Sequence, residues 1–361
     1  MKSQSPDSNY FETIIIGGGQ TGLSVGHGLA KQKRSFIILD ENKRIGDAWR
    51  NRWDSLRLFT PAFLDELEGM HFPAKRHSFV SKDQMADYLE EYAKRFNLPV
   101  QSGTRVEQLS RHGKNFLVSA AGKNFESKNV VVAMTNFQVQ KVPEFAKELS
   151  PAITQIKTKE YKNPSQLREG RALVVGAGNS GAEIALDVVK NHRTWISGKK
   201  VGHIPFRIEP FIARFLLVRL VRFVGLFVLN TNTPMGRKIR PKALHSAAPL
   251  VRTKPKDLTD AGIERVPKVV GVKDGFPLLE DNRVLEVENV IWCTGFRPGF
   301  SWIKLPVFGD REEPLHHRGV VTKEPGLYFV GLRFLHALAS DTITGSRKDA
   351  RYIVKHILNR D

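Results

Sequence analysis

The sequence predicts an α/β protein made of two strand–helix–strand units, one inserted within the other, and three observations predict it. One β-branched run closes on Gly17-Gly18-Gly19-Gln20-Thr21-Gly22, and a second closes on Gly176-Ala177-Gly178-Asn179-Ser180-Gly181. Each is followed by helical spacing and then by another buried strand, the pattern of parallel-sheet units. The third observation is size: 361 residues exceed one ordinary core and suit about two domains. With 41% apolar and 26% charged residues, the chain is globular rather than disordered.

The first twelve residues are polar, lack the apolar stretch of a secretory signal and read as a short tail. Glu12–Gly17 is the first strand, Gln20–Lys33 the first helix and Ser35–Asp40 the second strand. Ile45–Pro61 reads as loop. Lys82–Phe96 places Met85, Tyr88, Leu89, Tyr92, Ala93 and Phe96 at helical spacing, which predicts an amphipathic helix. Short alternating strands follow around Phe116–Ala120, with a buried strand at Asn129–Ala133. Gln138–Pro164, with three prolines, reads as an irregular crossing between domains.

The second unit is strand Arg171–Gly176, helix Ser180–Lys190 and strand Arg193–Ser197. Val201–Lys256 is the least readable region. Within it, Arg214, Arg219 and Arg222 interrupt the apolar run Phe211–Asn230, so no stretch of about 18 uncharged residues spans a bilayer. At 100° per residue the three arginines share one arc of about 140°. The segment reads as a helix packed over a domain interface by its apolar stripe, with peripheral membrane contact through its basic face as the alternative. Val287–Cys293 and Leu327–Val330 are the last strands, the former expected to return the chain to the first sheet. A final helix runs over Arg347–Leu358.

The glycine loops carry the chemistry. Gly17, Gly19 and Gly22 give a tight turn, close approach of backbone to a pyrophosphate and close helix–strand packing, and Gln20 opens the helix. Asp40, 21 positions after Gly19, can accept ribose hydroxyls. In the second loop Gly176, Gly178 and Gly181 repeat the pattern, with Asn179 and Ser180 able to donate to phosphates. Its downstream strand ends in Ser197-Gly198-Lys199-Lys200, without a carboxylate. Lysines attract a 2′-phosphate that a carboxylate would repel, so NADPH is expected there, with NADH left open. Two nucleotide sites imply hydride transfer between nicotinamide and flavin, hence FAD at the first loop.

Cys293 is the single cysteine, so the chain holds no dithiol relay and no disulfide. A cytoplasmic location is expected on that ground. The histidines show no metal-ligand spacing, so no metal is expected. The net charge of +19 attracts anionic ligands, but no nucleic-acid module is visible.

The motifs taken together resemble the flavin-containing monooxygenase family, in particular its short bacterial members. Gly46-Asp47-Ala48-Trp49-Arg50 and Ser55-Leu56-Arg57-Leu58-Phe59-Thr60-Pro61 are similar to the stretches that line the flavin there. Val174–Asp187 is similar to its NADPH loop, and Ile291–Pro298, Pro325–Gly331 and Ser346–Ala350 to its late motifs. The resemblance spans roughly residues 10 to 358. It implies two Rossmann-like dinucleotide-binding domains, the NADPH domain (165–280) inserted into a discontinuous FAD domain (1–140 and 285–361), with connections at 141–164 and 281–284. It implies Trp49, Phe59 and Thr60 on the flavin side, Leu56 lining the flavin, and Arg50 at FAD phosphate or, alternatively, at surface carboxylates. It further implies oxygen activation as a C4a-hydroperoxyflavin and transfer of one oxygen to a small sulfur, nitrogen or carbonyl substrate. The partners are then that substrate and molecular oxygen; a homodimer is left open. Two positions depart from the family pattern. Lys157 stands where a histidine precedes Tyr161, and Ala133-Met134-Thr135-Asn136 replaces an Ala-Thr-Gly turn. They keep an NADPH-dependent reductase or oxidase as the alternative.

Overall fold

A computed structural model describes residues 9–309 and 312–360; the polar tail at residues 1–8 lies outside them. Two sheets carry the architecture. The first has strands β1 (Tyr10–Ile16), β2 (Phe36–Leu39), β3 (Val100–Gln101), β4 (Val106–His112), β5 (Asn115–Ala120) and β6 (Lys123–Val132). Their order is β3-β2-β1-β6-β5-β4. β1, β2, β3 and β6 run parallel, and β4 and β5 form an antiparallel extension.

The second sheet is all parallel. It contains β7 (Thr154–Lys157), β8 (Ala172–Val175), β9 (Thr194–Ser197), β10 (Glu264–Val266) and β11 (Asn289–Trp292), ordered β7-β11-β8-β9-β10. Two expectations change here. β11 sits between β7 and β8 in the second sheet instead of returning to the first. The strand that returns is β12 (Leu327–Phe329), which pairs parallel with the C-terminal half of β6. The crossing at 138–164 also holds a regular element, since β7 is the edge of the second sheet. Four-residue strands buried on both faces carry no period, so partner choice is decided only by tertiary packing.

Helices α1 (Gln20–Lys31), α2 (Lys82–Arg95), α3 (Asn179–Val188) and α5 (Ile343–Leu358) accompany the sheets, and α4 (Pro234–His245) buries only Gly236. α2 starts on a full capping box: Ser81 Oγ accepts from the Gln84 amide, and Gln84 Oε1 from the Ser81 amide. Tyr88 and Tyr92 on its buried face donate to Met70 O and Glu68 O, which pins the turn at 67–70. α5 begins four residues earlier than its sequence signal, capped by Thr342. Gly345 hides that start, and it is required there: a Cβ would lie 1.8 Å from Ala339 O. α5 packs on α1 where Gly28 admits Val354, whose Cγ2 would be 2.9 Å from an added Cβ.

Asp349 of α5 is buried, and its Oδ2 has no partner among the described residues. Burial, partly offset by Ser340 and Arg318, raises its carboxyl from 3.8 to about 6. The folded protein therefore holds this proton more tightly than the unfolded chain, and stability falls as pH rises from about 4 to 6. Asp349→Asn should raise the melting free energy by about 2–3 kcal/mol above pH 6.5, with no gain near pH 4. Thermal unfolding at both pH values checks this; a variant less stable at pH 7.5 overturns it.

Candidate functional site

The two glycine loops are near copies of one another. Gly17 and Gly176 have φ +108° and +118°, a region closed to most side chains. The middle glycines, Gly19 and Gly178, are the N-caps of α1 and α3, with φ/ψ of −77°/−174° and −76°/−174°. A Cβ on either would meet nothing within 4 Å, so the backbone faces open space. A Cβ on Gly22 would sit 1.9 Å from Gly17 O, and one on Gly181 1.7 Å from Gly176 O. Each helix is thus pressed onto its strand, and neither N-terminus has a side-chain cap or a first-turn acid. The free N–H groups and positive dipole end are left for an anion.

Asp40 stands at the end of β2, buried, and braces the first loop. Its Oδ2 accepts from the Gly18 amide at 2.5 Å, and its Oδ1 from the Asn42 amide and side chain. Ribose hydroxyls would share these oxygens. Gln20 Oε1 accepts from Trp49 Nε1 at 3.3 Å, which ties the 46–50 turn to the loop. Arg50 is committed elsewhere: it donates to Ile45 O and pairs with Asp47, Asp87 and Glu90. These are the contacts that the surface-carboxylate alternative describes.

The segment 53–61 joins the two halves. Trp53 is buried in the core of the second sheet, while Leu56 touches the cores of both. Asn163 Nδ2 donates to Asp54 Oδ2 at 2.7 Å across the same boundary. Phe59 is exposed, and Thr60 Oγ1 donates to Asp65 at 2.5 Å. Burial pushes the Asp65 carboxyl up, and its Oδ2 has no partner among the described residues. Sequence reading gives no sign of Asp65.

At the second loop a cavity of about 340 Å³ opens beside Gly176, lined by Val175, Gly198, Lys199, Lys268 and Thr294. Lys199 is where the sequence places a phosphate-binding cation; Lys200 does not line the cavity. Lys268 is a functional candidate that sequence reading misses, because it follows a distant strand. Ser197 lines the same cavity, with its hydroxyl engaged by the protein. It is fully buried, donates to Pro267 O at 2.7 Å and accepts from the Val269 amide at 3.1 Å. It positions the segment carrying Lys268 and has no hydroxyl proton left for a ligand. Asn179 is likewise engaged, donating to Pro249 O and accepting from the Val251 amide, so it fastens the 248–251 loop over the start of α3. Ser180, next in α3, is half-buried.

A second cavity, about 300 Å³, is lined by Ser55, Glu183, Arg207 and Arg252. Burial, moderated by Arg252, raises the Glu183 carboxyl to about 7. The two departures noted in the sequence are local. Lys157 is exposed and pairs with Glu160 at 3.1 Å, and Asn136 Oδ1 accepts from the Arg333 amide. Tyr161 is buried and donates to Asp187. Burial pushes the Cys293 thiol up to about 12, so it is no thiolate nucleophile at neutral pH. His316 and His336 are lowered to about 4 by burial, hence neutral.

Residues 14–202 match the pyridine nucleotide-disulphide oxidoreductase family. An oxidoreductase of Geobacillus kaustophilus described as CzcO-like is 38% identical over 96% of this chain and 98% of its own. A probable indole-3-pyruvate monooxygenase of Arabidopsis thaliana, YUCCA3, is 28% identical over 96% of this chain and 86% of its own. Among solved structures, a flavin-containing monooxygenase from Stenotrophomonas maltophilia superposes with a TM-score of 0.77 at 25% identity, over 97% of this chain and 98% of its own. Among the described residues no helix is long and apolar enough to cross a membrane.

Proposed function

The chain belongs to the pyridine nucleotide-disulphide oxidoreductase family and is an oxidoreductase with the fold of flavin monooxygenases, and from that premise we propose an NADPH-consuming FAD monooxygenase. It oxygenates a small sulfur or nitrogen nucleophile or a carbonyl compound. The observation that carries the reading is the pair of matched glycine loops, one braced by a carboxylate and one flanked by lysines. A carboxylate beside the first loop suits the unphosphorylated ribose of FAD, whose pyrophosphate would lie over Gly19 and the start of α1. Lys199 and Lys268 beside the second suit the 2′-phosphate of NADPH.

The flavin, when bound, supplies hydride acceptance and oxygen activation. This chain's residues position and shield. Gln20 and Trp49 hold the 46–50 turn against the first loop. Trp53 and Leu56 close the seam between the two cores, which keeps water from the reacting centre. With one cysteine, Cys293, the chain has no thiol pair to receive electrons, although its matching family is named for disulphide reduction.

The test is stoichiometry. With the FAD-loaded protein, NADPH, oxygen and a thioether probe, sulfoxide should form in step with NADPH consumed. Flavin bleaching and peroxide with no oxygenated product from any nucleophile would make it a reductase or oxidase.

A further inference from the structure

The helical stretch 211–228 is turned inside out. It runs as Phe211–Ile212, a π segment Ala213–Leu217, an α segment Val218–Phe223 and a second π segment Val224–Val228. Its arginines face the protein. Arg214 donates to Glu209 O and His77 O and lies over the Phe79 ring, and Arg219 lies over Phe63. Most of its large apolar side chains face outward: Phe211 and Ile212 are 69% and 70% exposed, and Phe215, Leu216, Leu220 and Phe223 are exposed with them, while Val218 and Leu226 are buried. The segment thus does both: Val218 packs with Leu64 and Ile208 over the interface, as its sequence pattern suggests, while the larger part of its apolar surface is left facing outward. The helical wheel groups the arginines correctly; burying them on backbone carbonyls and aromatic faces is what turns the stripe to solvent.

A contiguous apolar face of this kind marks a contact surface. Its surroundings select the partner. From Pro210 to Lys256 the chain carries ten Lys and Arg residues and no Asp or Glu. α4, which follows directly, exposes Met235, Lys238 and Lys242. A second copy of this chain fits poorly, because a two-fold interface brings the same patch together and sets cation against cation. We propose that this face docks on an anionic lipid bilayer, with Phe211, Ile212, Phe215, Leu216, Leu220 and Phe223 entering the headgroup–acyl boundary and the lysines of α4 meeting headgroup phosphates. Apolar burial plus basic flanks is the pairing that holds a helix in the interface plane without crossing it. The inference is independent of the proposed oxygenation, because its readout is binding.

The test uses the FAD-loaded protein and flotation with vesicles of phosphatidylcholine alone or with phosphatidylglycerol. The wild type should float with the anionic vesicles, and added salt should release it. Phe211→Ser with Ile212→Ser and Phe215→Ser should weaken partition roughly 100-fold. Lys238→Glu with Lys242→Glu should weaken it roughly 10-fold or more at low salt. Both variants should keep their flavin and their rate of NADPH oxidation in solution. Three results overturn the proposal: no vesicle binding by the wild type, binding indifferent to either variant, or a wild-type dimer that the serine variant dissociates without any lipid affinity.

Discussion

Gly181→Ala should give a yellow protein whose flavin is bleached only by much higher NADPH concentrations. The added Cβ would stand 1.7 Å from Gly176 O, which lies on backbone and cannot rotate away. Gly176 is itself held, since a Cβ there would be 2.1 Å from Cys293 O at the end of β11. The only relief is for the start of α3 to back off the strand, which withdraws its amides from the pyrophosphate. Overpacking of this kind costs about 1–3 kcal/mol, so the KM for NADPH should rise by up to about 100-fold. The matched substitution is Gly22→Ala, with a Cβ 1.9 Å from Gly17 O. It should yield a protein that purifies colourless and regains little flavin on adding FAD. Absorbance after purification and stopped-flow reduction by NADPH separate the two effects. If Gly22→Ala keeps its flavin while losing NADPH reduction, the cofactor assignment is reversed.

The second large effect is coenzyme choice. Lys199→Glu with Lys268→Glu should lower kcat/KM for NADPH by about 100-fold, while NADH stays within about twofold. Both lysines line the cavity beside Gly176, and only the 2′-phosphate distinguishes the two coenzymes. Both side chains are exposed, so added salt should shrink the difference. Steady-state rates with each coenzyme at low and high salt check this. A parallel loss with NADH would mean that the pair merely supports the loop, and the preference for a 2′-phosphate would then have no basis at this cavity. Lys200→Glu serves as a control, with little effect expected because Lys200 lies outside the cavity lining.

Much of this site is legible along the chain because its parts are local. A glycine with positive φ, an open middle glycine and a pressed third glycine all lie within six residues, and Asp40 follows one helix and one strand later. The same locality makes α2 readable from its apolar spacing and its Ser81–Gln84 cap. Lys268, Asp65 and Glu183 are invisible to that reading. Lys268 and Glu183 acquire their environments from residues distant in sequence, Lys268 from the pairing of β9 with β10 and Glu183 from Arg252, and Asp65 is set apart by its burial. For Arg50 and Ser197 motif position suggests ligand contact, and the fold adds protein partners that no short spacing announces.

By itself the sequence determines that this chain has two glycine loops that each join a strand to a helix, that one is followed by a carboxylate and the other by lysines, and that no dithiol exists. Those properties follow from residue type and short spacing, where backbone sterics and charge act directly. Tertiary structure alone decides that β11 completes the second sheet and β12 the first, that Trp53 and Leu56 bind the halves together, and that Phe211, Ile212, Phe215, Leu216, Leu220 and Phe223 face outward. Each of these turns on which of several equally apolar surfaces meets which. Hydrophobic burial is proportional to area and has no direction, so only packing of the whole chain breaks the tie.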